Sequence, residues 1–167
     1  MNVTDPTVVL QASQPKLEDL LRQIVKLLEK HRLVETLVER DQTSPRHQLI
    51  ESLVHRQHVV ELQLKLRSLH PADIAYILEA LPQDDRLLIW RQIEEERSGD
   101  VLLEVSDAVR NALVEALERA ELLRVLEPLD ADDLAALAEA VPEPVLADVS
   151  RRLPTRDRDW LQTTMAY

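Results

Sequence analysis

Two sets of side chains in this sequence have the chemistry to hold a metal ion, and they suit different ions. The first is histidine: His31, His47, His55, His58 and His70. His55 and His58 stand three apart, so on a helix they share a face and could chelate a transition metal through imidazole nitrogen. The spacing shows no third ligand, and exposed helical histidines are the expectation. His70, just before Pro71, reads as a helix-entry residue. The second set is acidic and includes Asp84, Asp85, Glu94 to Glu96, Asp100, Glu104, Asp130, Asp132 and Asp133. Glu94 to Glu96 read as a solvated helix end. Asp130 and Asp133 fall at a helix start, where carboxylates cap free N–H groups and meet the positive end of the dipole. Asp132 has no such obligation and can point outward. Asp100, after Gly99, is expected in the first turn of a helix. Sparse carboxylates with free lone pairs suit Mg²⁺, which keeps several waters and takes one or two protein ligands.

Covalent and acid–base chemistry has less to work with. The sequence holds no Gly-rich phosphate loop, no Gly-x-Ser-x-Gly and no His-Glu-x-x-His. A chain with a single glycine, Gly99, does not easily build a phosphate cradle or an oxyanion nest. Without cysteine there is no thiol nucleophile, thiolate metal site or disulfide. The expectation is a non-enzymatic protein.

Charge narrows the partners. Residues 1–66 carry nine basic and nine acidic side chains; of the 20 basic and 31 acidic in all, 11 (20 − 9) and 22 (31 − 9) remain for residues 67–167. The whole net charge of −11 therefore belongs to the second part, whose cations are all arginines. Such a surface repels nucleic acid and attracts cations or a basic partner.

The elements that must position these residues are helical. Apolar residues at 45% and charged residues at 31% indicate a globular chain, and one glycine with no phenylalanine argues against a sheet protein. Residues 1–15 read as a disordered tail with no signal-peptide pattern. From Lys16 the apolar positions Leu17, Leu20, Leu21, Ile24, Leu27, Leu28, Val34, Leu37 and Val38 predict a long helix. Thr43-Ser44-Pro45 breaks it, with Ser44 as a cap and Pro45 at the first helical position. A second long helix to about Ser68 carries Leu49, Ile50, Leu53, Val54, Val60 and Leu64 on one side. Shorter helices follow. They are opened by Pro71, Pro82, Ser98, Ser106, Asp130, Pro142 with Pro144, and Thr155, with one more over 120–127. No apolar run approaches the roughly 20 residues that span a bilayer. Trp90 and Trp160 are expected to pack between helices.

An internal repeat ties the short helices together. Leu69 to Pro82 aligns with Leu129 to Pro142 at an offset of 60, setting Asp73 on Asp133, Ile74 on Leu134, Ile77 on Leu137 and Pro82 on Pro142. Helices this short are unstable alone and bury their apolar faces by stacking, as in α-solenoids.

The wording of the repeat also resembles a known family. Leu69-His-Pro-Ala-Asp-Ile-Ala75, the Leu81-Pro82 turn, and Asp84, Asp85 and Arg86 are similar to the signature of the MgtE-type magnesium transporter N-terminal domain. Gly99 to Ser106 and Leu129 to Leu134 fit its later helices. The resemblance covers Arg56 to Tyr167. It implies an all-α, right-handed superhelix of short helices after two longer ones, with residues 16–167 as one helical domain. It also implies a chain that continues into CBS domains and a transmembrane pore, so that this is a piece of a homodimeric transporter at the cytoplasmic face of the plasma membrane. In the family, Mg²⁺ binds between this domain and the CBS domains, neutralises facing carboxylates and closes the pore. The ligand positions carried over are Asp100 and Asp132; a further acidic position one turn after Asp132 is Ala136 here. The implied cofactor is weakly bound, regulatory Mg²⁺, and the implied partners are the CBS domains. A rival from another class is a scaffold of the flagellar motor switch (FliG-like) type, whose short helices are also similar. That reading calls for an apolar partner-binding patch and no metal response. A third is an adaptor for a basic partner.

Overall fold

The computed structural model describes the backbone of residues 6–40 and 45–166, and their side chains apart from 6–15, 38, 39 and 47. The described residues form ten helices and no strand, as the glycine-poor, leucine-rich sequence requires. The chain divides into two compact units at Ser68/Leu69, the point where the sequence passes from long helices to short ones.

The first unit is a helical pair, α1 (Pro6–Arg40) and α2 (Pro45–Arg67), packed together. α1 is helical from Pro6, so the stretch expected as a tail is helix over 6–15. Pro6 sits at the first helical position, where a missing N–H costs nothing. Residues 1–5 and the proposed Ser44 cap lie outside the described residues. The buried stripe of α1 is Ile24, Leu27, Leu28 and His31, the helical spacing the sequence predicts. On α2 the outcome differs. Leu62 and Leu66 are buried, whereas Leu49, Ile50, Leu53, Val60 and Leu64 are exposed. The face turned inward is the one that carries Glu51, His55, His58, Leu62 and Leu66, and the predicted apolar side faces outward except for half-buried Val54.

The second unit is a stack of short helices: α3 (Pro71–Ala80), α4 (Gln83–Trp90), α5 (Glu95–Glu104), α6 (Asp107–Ala116), α7 (Arg119–Leu126), α8 (Ala131–Leu137), α9 (Glu143–Ser150) and α10 (Thr155–Met165). Their N-caps are His70, Pro82, Glu94, Ser106, Glu118, Asp130, Pro142 and Pro154, one every 12 residues. The residue before each cap is aliphatic: Leu69, Leu81, Ile93, Val105, Leu117, Leu129, Val141 and Leu153. Leu81, Ile93, Val105, Leu129 and Val141 are buried and Leu69, Leu117 and Leu153 half-buried, so five of the eight turns are pinned by a buried apolar residue just outside the helix. Two sequence-based caps move as a result. Ser98 lies inside α5, where its hydroxyl donates back to the Glu94 carbonyl at 3.1 Å, and Thr155 is the first residue of α10 rather than its cap.

Alternate helices stack. α3 packs on α5, α5 on α7 and α7 on α9, and α8 packs on α10. The packing unit is thus a helix pair of 24 residues. The sequence offset of 60 equals five steps of 12, an odd number, so it sets α3 over α8 and matches the turn register rather than the packing unit. Arginines mark the pairs. Arg86, Arg110 and Arg158 stand at the same place in α4, α6 and α10. Each donates from Nε to the carbonyl eight residues back: Leu78 at 2.9 Å, Leu102 at 2.9 Å and Ser150 at 3.2 Å. Each also donates from Nη2 to the carbonyl five back: Leu81 at 3.0 Å, Val105 at 3.1 Å and Leu153 at 3.2 Å. These carbonyls lie at and just past the C-terminal ends of α3, α5 and α9, where i→i−4 partners run out; Leu78 and Ser150 each accept a backbone N–H as well, from Leu81 at 3.3 Å and Leu153 at 3.1 Å. In α8 the equivalent position is Leu134, fully buried.

Trp90 is buried as expected, but Trp160 is 44% exposed. It lies on α10, the last helix among the described residues.

Candidate metal-responsive acidic surface

Gly99 sets the geometry of the acidic site. It has no positive φ, so backbone freedom is not what the position requires. Space is the requirement. A Cβ here would stand 2.8 Å from the Val125 carbonyl oxygen and 2.8 Å from Leu129 Cδ2. The bare backbone of α5 therefore lies against the end of α7 and against Leu129, the residue that precedes the α8 cap. Asp100, next in sequence, is carried to the start of α8, and α5 touches α8. Asp100 is the sixth residue of α5, not a first-turn residue, because the helix starts at Glu95 and not after Ser98.

At the start of α8, Asp130 caps the helix as the sequence predicts: its Oδ1 accepts the Asp133 N–H at 2.9 Å. Asp100 and Asp132 are both exposed, and Ala136 is exposed one turn further on. The Asp133 carboxyl is pushed above its ordinary range. Partial burial contributes most, followed by the negative charges of Asp130, Asp100 and Asp132. Carboxylates from α5 and α8 thus act on one group, and the two positions singled out in the sequence share an electrostatic site although 32 residues separate them (132 − 100).

His31, His55 and His58 sit in the first unit, and His55 and His58 are not the exposed helical residues expected. His31 is 97% buried (3% exposed), and His55 and His58 are half-buried. His31 Nε2 lies 3.1 Å from Glu35 Oε1, and its ring centroid is 4.3 Å from that of His55 and 6.5 Å from that of His58. Burial holds the His31 imidazole below its ordinary pKa. Glu35 opposes that shift, and the two other histidines add to it. The ligand atoms of His31, Glu35 and His55 all lie within 4.8 Å of one another. The sequence hides this grouping because His31 comes from the other helix. His70 is exposed at the α3 cap, and the His47 side chain lies outside the described residues.

The model of the MgtE intracellular N domain matches residues 69–167. The chain belongs to that family. The match begins at Leu69, the first residue of the short-helix unit. It does not reach back to Arg56 as the sequence resemblance suggested, since α2 runs to Arg67 and belongs to the other unit. No curated protein matches the chain. The family is that of an intracellular domain of a magnesium transporter. No helix among the described residues is long and apolar enough to cross a membrane.

Proposed function

We propose that residues 69–167 form one half of a Mg²⁺ sensor, in which Asp100 and Asp132 meet carboxylates of CBS domains in the same transporter and the bound ion favours the closed pore. The observation that carries this reading is the family match over residues 69–167, in which α5, carrying exposed Asp100, touches α8, whose first turn holds exposed Asp132 beside Asp130 and Asp133. Such a cluster is held together by packing against its own repulsion, and a divalent cation relieves that repulsion. The donor set fits Mg²⁺, which binds oxygen and keeps most of its water. Asp100 and Asp132 face solvent, so both can reach an ion shared with a second domain.

The physical logic is a population shift. When Mg²⁺ is scarce, the acidic surface repels an acidic partner and the domains stand apart. When Mg²⁺ is abundant, the ion binds the apposed state better than the separated one and draws the domains together. Ala136 supplies no carboxylate at the next turn, so this half of the site rests on two ligands. Alone, the chain should therefore hold Mg²⁺ only at millimolar concentration or above.

Amide NMR during a MgCl₂ titration of this chain tests the reading. Shifts should be confined to residues near Asp100 and to the start of α8, and should saturate in the millimolar range. Shifts elsewhere, or a micromolar site, would show that the ligand set is wrong.

A further inference from the structure

We propose that the α1–α2 pair holds a divalent transition-metal ion of the zinc class through His31, Glu35 and His55, with His58 beside them. This site lies in the first unit, outside the family match, and is independent of the acidic surface on α5 and α8.

The inward stripe of the helix pair is apolar at one end, with Ile24, Leu27 and Leu28 on α1 and Leu62 and Leu66 on α2. Continued toward the connection between the helices, the same stripe becomes buried His31 on α1, with exposed Glu35 at its edge, and half-buried His58, His55 and Glu51 on α2. Leucine and isoleucine are available in that region, but Leu49, Ile50 and Leu53 face outward. A pair held only by apolar packing would be better served by the opposite arrangement, because burying a polar group costs free energy unless it is bonded.

The buried groups are also incompletely bonded. His31 Nδ1, His58 Nδ1 and Glu51 Oε2 are each shut off from solvent with no hydrogen-bond partner among the described residues. Nearly all buried polar atoms in folded proteins have a partner, so three without one on the packed sides of α1 and α2 point to a ligand held between these helices.

The geometry then selects the ion. Three ligand atoms, two imidazole nitrogens and one carboxylate oxygen, already lie within 4.8 Å of one another. Zinc takes these donors at about 2.0–2.2 Å, so closing the set asks for side-chain movements of about an ångström. Glu35 and His31 are four apart on α1, and His55 and His58 three apart on α2, so each helix offers its pair from one face. Imidazole favours zinc-class ions over Mg²⁺. The Glu35 side chain is 58% exposed and gives the ion a way in from solvent. Bound there, the ion would clip α1 to α2.

The test uses the whole 167-residue chain without a histidine tag. Calorimetric titration with ZnCl₂ should show one ion per chain at micromolar affinity or tighter, and Co²⁺ in its place should give the visible absorption of a tetrahedral nitrogen–oxygen site. His55→Ala and Glu35→Gln should each weaken Zn²⁺ by about tenfold or more while helix content, read by circular dichroism, stays unchanged. Glu35 is exposed, so its variant keeps the test valid if His55→Ala destabilises the pair. His70→Ala, in the other unit, should bind as the parent does. The proposal fails if the parent chain binds no Zn²⁺ below millimolar concentration. It also fails if Glu35→Gln and His55→Ala bind with the parent's affinity.

Discussion

Gly99→Ala is the sharpest probe of how the acidic surface is built. In an open helix this change stabilises, because alanine exceeds glycine in helix propensity by about 1 kcal/mol. Here the new methyl would meet the Val125 carbonyl oxygen and Leu129 Cδ2, each at 2.8 Å. Relaxed contacts lie near 3.5 Å or beyond, so α5 must retreat by about half an ångström or more. One obstacle is a backbone oxygen of α7 and cannot swing aside. Overpacking of this kind costs about 1–3 kcal/mol, and the rigid neighbour places the cost in the upper part of that range. Set against the propensity gain, the net loss is about 1–2 kcal/mol. For a unit of this size that lowers the melting temperature by about 5–12 °C. Urea and thermal unfolding followed by circular dichroism would measure it. A midpoint equal to or above that of the parent would mean that α5 does not lie so close to α7, and the placement of Asp100 beside α8 would fall with it.

Other changes follow from the same contacts. Arg110→Ala removes donors to the Leu102, Leu103 and Val105 carbonyls and should cost about 1.5–3 kcal/mol in urea unfolding, with Arg110→Lys recovering little because an ammonium cannot reproduce the planar fork. Asp130→Ala removes the α8 cap and should cost about 0.5–2 kcal/mol in the same assay. The Asp133 pKa is raised above 3.8, so the folded protein holds that proton more tightly than the unfolded chain. The stability tied to it is full below the unfolded value and is lost as pH rises through the folded one. Asp133→Asn should therefore raise the urea midpoint near neutral pH, and the gain should shrink toward about pH 4. A gain that persisted undiminished in acid would separate it from carboxylate repulsion.

Much of this fold is legible in the sequence, and the parts that are not share a cause. Helical periodicity and proline positions reveal the long pair, the short helices and most of their starts, because caps and apolar spacing are local. The 60-residue offset is visible through Pro82 and Pro142, whose identity is shared. The 12-residue step beneath it is hidden because the caps vary among His, Pro, Glu, Ser and Asp while only an aliphatic residue recurs before each. Arg86, Arg110 and Arg158 carried a usable signal, since each follows a turn leucine or valine by five residues. α2 misleads because Leu49, Ile50 and Leu53 form a good apolar side, and only packing against α1 decides that the histidine face turns inward. His55 and His58 can be paired from spacing alone. His31 joins them through the fold of the pair, and that is a tertiary fact. Asp100 and Asp132 were both identifiable, but their proximity depends on Gly99 and Leu129 meeting across the stack.

The central claim is that Asp100 and Asp132 respond to Mg²⁺ together with a second domain. Limited proteolysis of the transporter that carries this domain, at the boundary between it and the CBS domains and across a range of Mg²⁺ concentrations, tests it most directly. The parent should become protected as Mg²⁺ rises. Asp100→Asn combined with Asp132→Ala should stay folded, since both side chains face solvent, and should need clearly more Mg²⁺ for the same protection. A protection curve that does not move would remove these two residues from the sensor.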